Sequence, residues 1–225
     1  MTAPAGKLLG ALLGALLGAA VLAAVAAPYA AAQDPPVLSG ESLVQALRGG
    51  GFNIYFRHAQ TDWSQHDELR EHGDWESCDP ARVRQLSASG RAAARAVGEA
   101  MRALAVPVGR VLASPYCRTM QTAELMGYGP PTPTTEVMNL RAAGFFGGTD
   151  AIVATARALL ASAPAHGTNT IIAAHGNVAQ AATPVYPGEA EAVVLRPEGA
   201  SRFSVVARIT PQQWQRLREA YAAPR

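Results

Sequence analysis

The run Phe52-Asn53-Ile54-Tyr55-Phe56 is apolar or aromatic but for Asn53 and stops abruptly on Arg57-His58-Ala59-Gln60-Thr61. Such a five-residue run, preceded by Gly49-Gly50-Gly51, has the length and composition of a buried strand. Two further runs end in the same way. Arg110-Val111-Leu112-Ala113 leads into Ser114-Pro115-Tyr116-Cys117-Arg118, and Thr170-Ile171-Ile172-Ala173-Ala174 leads into His175-Gly176-Asn177. Helical patterns lie around these strands. Leu43, Val44 and Leu47 share a face within Ser39 to Leu47, and Ala93, Val97, Ala100 and Leu104 recur at steps of three and four behind a Ser87 or Ser89 cap. Thr119 to Met126 and Ile152 to Leu160 read as helices, Ala192 to Leu195 and Phe203 to Ile209 as strands. A last amphipathic helix carries Trp214, Leu217 and Tyr221. Strands separated by helices predict an α/β, three-layer sandwich with a mostly parallel central sheet and helices on both faces. Ligands of such sheets sit beyond the carboxyl ends of the strands, so Arg57, His58, Arg118 and His175 are expected to converge there.

The chain has 225 residues, 49% of them apolar and 16% charged, which suits one globular domain. With 19 Lys plus Arg against 17 Asp plus Glu it has no wide field to gather polyanions, and nucleic acid is not an expected partner. Lys7 precedes a run from Leu8 to Ala27 of almost only Leu, Ala, Gly and Val, followed by Ala30-Ala31-Ala32 before the chain turns polar. Residues 1–32 therefore read as a signal peptide, with a retained membrane anchor as the alternative, and 33–225 as a single domain. The expectation is an exported protein, periplasmic or secreted, without stable membrane association after cleavage. In an oxidising compartment Cys78 and Cys117 are available to pair, a bridge across 39 residues worth about 4 kcal/mol by loop closure. Two buried free thiols are the alternative.

Two arginines and two histidines suit a phosphate dianion. A guanidinium offers two parallel charge-assisted bonds at a time, and a neutral imidazole can attack phosphorus. Arg57 and Arg118 are the expected clamp, His58 the expected nucleophile, and His175 the expected donor to the equatorial oxygens. With these cations at hand neither a metal nor another cofactor is expected. At these positions the chain resembles the histidine phosphatase superfamily, also called phosphoglycerate mutase-like. The matching motifs are Arg57-His58-Ala59-Gln60-Thr61, Leu86-Ser87-Ala88-Ser89-Gly90, Ser114 to Thr119 with Thr122-Ala123, and Ala174-His175-Gly176, in family order. The resemblance implies a three-layer fold, a phosphorylated His58, phosphate bound by Arg57, Arg118 and His175, and a small phosphorylated substrate.

The proton donor departs from the pattern. Many relatives place an Asp directly after the last His or a Glu between the Ser-Pro motif and that His; here Gly176-Asn177 follows His175. Glu136 is the candidate acid, with Asp62 as a second. Without an acid, good leaving groups are favoured. Residues Thr61 to Pro80 show no period and predict a long loop or partly helical lid, in which Trp63 and Trp75 either stack on a leaving group or pack on the sheet. Cys78 and Arg84 have the Cys-to-Arg spacing of cysteine phosphatases, but Pro80 removes a backbone donor and no strand precedes. The expected function is a metal-independent phosphomonoester hydrolase. The alternatives are a phospho-ligand binding module of little or no activity, and a phosphotransferase or mutase.

Overall fold

A computed structural model describes residues 37–222, and the expected signal peptide lies outside the described residues. Six strands form one sheet: β1 (Asn53–Arg57), β2 (Val108–Ala113), β3 (Thr132–Pro133), β4 (Asn169–Ala174), β5 (Ala192–Gly199) and β6 (Arg202–Ile209). Their order is β3-β2-β4-β1-β5-β6, with β3, β2, β4 and β1 parallel and the β5–β6 hairpin added antiparallel at one edge. Six helices are α1 (Gly40–Gly49), α2 (Ala88–Ala103), α3 (Cys117–Met126), α4 (Thr149–Ala161), α5 (Gly176–Ala182) and α6 (Pro211–Tyr221). The three-layer expectation holds.

Side-chain alternation along the central strands separates the two cores. Ile54 and Phe56 of β1, Val111 and Ala113 of β2, and Ile171 and Ala173 of β4 face α1, α2, α3 and α6, whose Leu47, Met101, Met126 and Trp214 are buried with them. Tyr55, Leu112, Ile172 and Ala174 face the other way, onto Ile152 and Leu160 of α4 and Val178 of α5. Because both faces are covered, β4 is buried at every residue, and its sequence is an apolar run rather than an alternation. At the amino ends of the strands two buried asparagines satisfy backbone groups. Asn53 donates to the carbonyls of Leu160 and Ser162, and Asn169 donates to those of Leu47 and Pro107 and accepts from the Phe52 N–H. This end holds structure, and the carboxyl end is left for chemistry.

Register places the three predicted strand ends side by side. Arg57 pairs with Ala174, and Ala113 pairs with Ala173, so His58, Ser114 and His175 leave the sheet at one level. Sequence reading missed the short edge strand β3, which lies in the Pro and Thr-rich connection, and helix α5, which is only seven residues long. The segment after β1 is a loop containing one 3-10 turn, Asp74–Glu76. Trp75 anchors it, buried to 1% exposure among His72, Phe145 and Phe146. The disulfide Cys78–Cys117, with Cα atoms 5.3 Å apart, ties the same loop to the start of α3. Cys78 is thereby removed as a nucleophile for the Cys-to-Arg spacing it shares with Arg84.

Candidate active site

The motif residues are held by short local bonds whose purpose is visible one at a time. The His58 N–H donates to the Ala174 carbonyl at 2.8 Å, fixing the chain where it leaves β1. The next N–H, of Ala59, donates to Thr122 Oγ1 at 3.1 Å, and that hydroxyl donates to the Arg118 carbonyl at 2.7 Å. One threonine of α3 thus couples the His58 turn to the residue that carries the second guanidinium. Ser87 caps α2 by accepting from the Gly90 N–H. Gly90 has no side chain because a Cβ there would stand 2.0 Å from the Gln60 carbonyl oxygen. The Leu-Ser-Ala-Ser-Gly run is therefore a brace that presses the helix start against the loop after His58.

His58 is buried, and its Nδ1 lies 2.9 Å from the Ala59 carbonyl oxygen. A carbonyl only accepts, so Nδ1 carries the proton in the neutral ring and Nε2 keeps its lone pair. Burial, then the charge of Arg118, drives the pKa of His58 well below its ordinary value; Arg57 and Arg84 push the same way and the Ala59 bond opposes them. His175 sits with its ring centroid 5.7 Å from that of His58. Its Nε2 is 3.0 Å from Ser114 Oγ, its Nδ1 is buried with no partner, and Tyr116 packs edge-on to it at 4.7 Å. Its backbone is fixed by Tyr55, whose hydroxyl donates to the His175 carbonyl at 2.6 Å and accepts from its N–H at 3.0 Å. Burial first, and then Arg118 and His58, lower the pKa of His175 well below the usual range. Both shifts favour the neutral imidazole.

A cavity of about 310 Å³ opens over these rings. Arg57, His58, Arg118 and His175 all line it, as do Trp63, Asp67, Arg84, Asn139, Arg141, Asn177 and Tyr186. Sequence reasoning brought the first four together and missed Asp67, Arg84, Arg141 and Tyr186. Arg118 donates to both oxygens of Asp67, at 2.8 and 2.9 Å, with both side chains nearly inaccessible. Burial alone would raise the Asp67 pKa, but the Arg118 bonds and charge and the Arg84 N–H outweigh it and hold the carboxyl ionised. Arg57 donates to the Pro187 carbonyl, lies 3.9 Å from Glu189 and stacks on Tyr186. Gly176 makes that approach possible, since a Cβ there would meet the Tyr186 ring at 2.9 Å. Trp63, the partner of Trp75 in the lid loop, stays 61% exposed under the Arg84 guanidinium.

Residues 54–147 match the model of the histidine phosphatase superfamily, branch 1. Over this stretch, about two-fifths of the chain, the protein is similar to that superfamily. The matched stretch contains Arg57, His58, Asp67, Arg84 and Arg118, and it ends before His175. Among solved structures the chain is similar to the protein histidine phosphatase SixA in complex with tungstate, at 17% identity over 72% of this chain and 97% of that one, with a TM-score of 0.49. It is also similar to TTHB049 from Thermus thermophilus, at 20% identity over 71% and 99% with a TM-score of 0.47. A third is the open reading frame Rv3214 from Mycobacterium tuberculosis, at 18% identity over 69% and 96% with a TM-score of 0.46. No curated protein matches in sequence. The family match supports phosphatase-type or mutase-type chemistry.

The expected acids do not reach the cavity. Glu136 accepts from Thr134 Oγ1 and lines a separate hollow with Thr135, Phe146, Ala151, Ile152 and Thr155. The reason is local: Val137 is fully buried in the α4 core, so its neighbour on the 3-10 turn is directed elsewhere. Asp62 accepts from Ser64 and Gln65 in the lid loop and does not line the cavity. Among the described residues Asp67 is the one carboxylate that does. Asn177, directly after the His175-Gly176 pair, donates to Asn139 at 2.8 Å and lines the cavity as a neutral amide.

Proposed function

We propose that this chain is a phosphomonoester hydrolase acting through a phosphohistidine on His58. The observation that carries the reading is the fixed tautomer of that ring: Nδ1 is committed to the Ala59 carbonyl, and Nε2 is left as a nucleophile in a cavity lined by arginines. In the first step the Nε2 lone pair forms a bond to phosphorus and the bond to the leaving oxygen breaks. In the second, water attacks phosphorus, the N–P bond breaks with its electron pair returning to Nε2, and the water proton passes to solvent or phosphate. Arg57 and Arg118 would hold the equatorial oxygens as charge shifts among them. His175, whose Nε2 meets Ser114 Oγ and whose Nδ1 has no protein partner, stands beside them as a further contact for the phosphate. The scheme uses no metal and no cofactor.

The leaving oxygen needs a proton or must be stable without one. Asp67 is held ionised by Arg118, so it is a poor acid, and the site suits leaving groups that depart as anions. Aryl and acyl phosphates fit this description, and phosphohistidine needs no protein acid either, because its imidazole leaves as a neutral ring once solvent has protonated the distal ring nitrogen. We further read the chain as exported, supported by the composition of Leu8 to Ala27 and by a disulfide that an oxidising compartment allows to persist.

The test is steady-state turnover of p-nitrophenyl phosphate in EDTA. The parent protein is expected to turn over, His58→Ala to lose at least about ten-thousand-fold, and His175→Ala to lose about a hundredfold or more. Alkyl phosphates should be hydrolysed far more slowly than aryl ones. Phosphate binding without any turnover would favour a binding module instead, and full activity in His58→Ala would refute the scheme.

A further inference from the structure

The cavity does not end at the two histidines. It adjoins a second hollow of about 220 Å³ lined by Trp63, Gln65, His66, Asp67, Arg84 and Arg141, of which Trp63, Asp67, Arg84 and Arg141 line both. The one carboxylate there already has its charge matched by Arg118. Among the described residues neither Arg84 nor Arg141 forms a salt bridge. Arg84 is the more telling of the two. Its Nε is buried without an acceptor, and burial, followed by the charges of Arg118 and Arg141, pulls its pKa down while Asp67 pulls it back. Uncompensated like charges near one another, with a donor shut away from water, are an unfavourable arrangement that a bound anion relieves. The wall beside them is aromatic: Arg84 lies 4.0 Å over the Trp63 ring, and that indole is otherwise open to solvent.

We infer that the second hollow is a subsite for a second anionic group, so that the preferred substrate carries two such groups joined by a flat ring. The transferred phosphate faces His58, the ring lies along Trp63, and the distal phosphate or comparable oxyanion takes the Arg84 and Arg141 guanidinium groups. A guanidinium stacked on an indole is already ordered, so little rotamer freedom is lost when it binds. The orientation of such a substrate rests on the function proposed above; the existence of the second anion site does not.

Binding to protein that cannot turn over separates the two questions. In His58→Ala protein, calorimetry compares phenylphosphonate with benzene-1,4-diphosphonate. The inference expects the diphosphonate to bind at least about tenfold more tightly, which is the worth of about one charge-assisted bond. Arg141 is exposed, so Arg141→Gln leaves the core untouched and should cut that ratio severalfold; adding Arg84→Gln should bring it near one. Equal affinities in the parent, or a ratio that survives both substitutions, would overturn it. Failure of the parent to hydrolyse p-nitrophenyl phosphate would remove the proposed reaction and leave this ratio as the measure of the subsite.

Discussion

Two halves of the site are built by different means. Arg57, His58, Ser114 and His175 leave parallel strands whose register brings them to one level, so the sheet itself sets their spacing. Trp63, Asp67 and Arg84 come from the long loop between β1 and α2, and Arg141 from the 3-10 turn that precedes α4. These are held by a buried tryptophan, an ion pair and a disulfide rather than by a backbone ladder. The strand-borne half carries the bond-making groups, where a displacement of an ångström is costly. The loop-borne half decides what can approach them, and a loop can vary without disturbing the sheet.

That division can be broken most forcefully at the two tryptophans of the one loop. Trp75→Ala removes a side chain packed among His72, Phe145 and Phe146 and should cost about 4 kcal/mol of stability in urea unfolding. Trp63→Ala, on the exposed residue, should stay within about 0.5 kcal/mol and show itself in substrate KM instead. Equal stability losses at both would mean that the loop is a second core rather than a cover held by one anchor.

The disulfide sharpens the same contrast with a comparable effect. Replacing Cys78 and Cys117 together by serine, or reducing the bridge, should lower stability by about 4 kcal/mol through the freed 39-residue loop. The sheet should keep its far-ultraviolet circular dichroism at room temperature. An unchanged melting temperature with and without reductant would contradict the role given to the bridge.

The strand-borne half has its own signature in pH. Both site histidines have folded-state pKa values depressed well below the unfolded value, which lies near 6.5. Between those values the unfolded chain binds more protons than the folded one, so stability rises with pH through that window. It is fully present above about pH 6.5 and is lost as the pH falls below it. Urea titrations at several pH values should show this decline, with a shallower slope in His58→Ala. A protein more stable at pH 5 than at pH 7.5 would show that these rings are not kept neutral by the fold.

What was legible in the sequence follows the same line. Strand ends announce themselves because an apolar run stops on a charged residue, and parallel packing then fixes where those ends must meet. The four residues so found all line the cavity. Loop-borne residues carry no period, so nothing in Asp67, Arg84 or Arg141 as sequence says which way they face. Arg84 did draw attention through its spacing from Cys78, a pattern made irrelevant by the disulfide, although the arginine itself lies in the site. Glu136 failed for the complementary reason: its place in the chain between the Ser-Pro motif and the last histidine said nothing of how a 3-10 turn would orient it once Val137 was buried. The outer antiparallel hairpin was read as two strands, but its position beside β1 is set by the fold as a whole.

The nucleophile is the claim that bears most directly on function. Protein quenched within milliseconds of mixing with p-nitrophenyl phosphate, digested at alkaline pH and read by tandem mass spectrometry, should carry a phosphoryl group on His58 Nε2. The adduct should be absent from His58→Ala. Turnover with the adduct on another residue, or a phosphorylated protein that persists when His58 is replaced, would contradict the account.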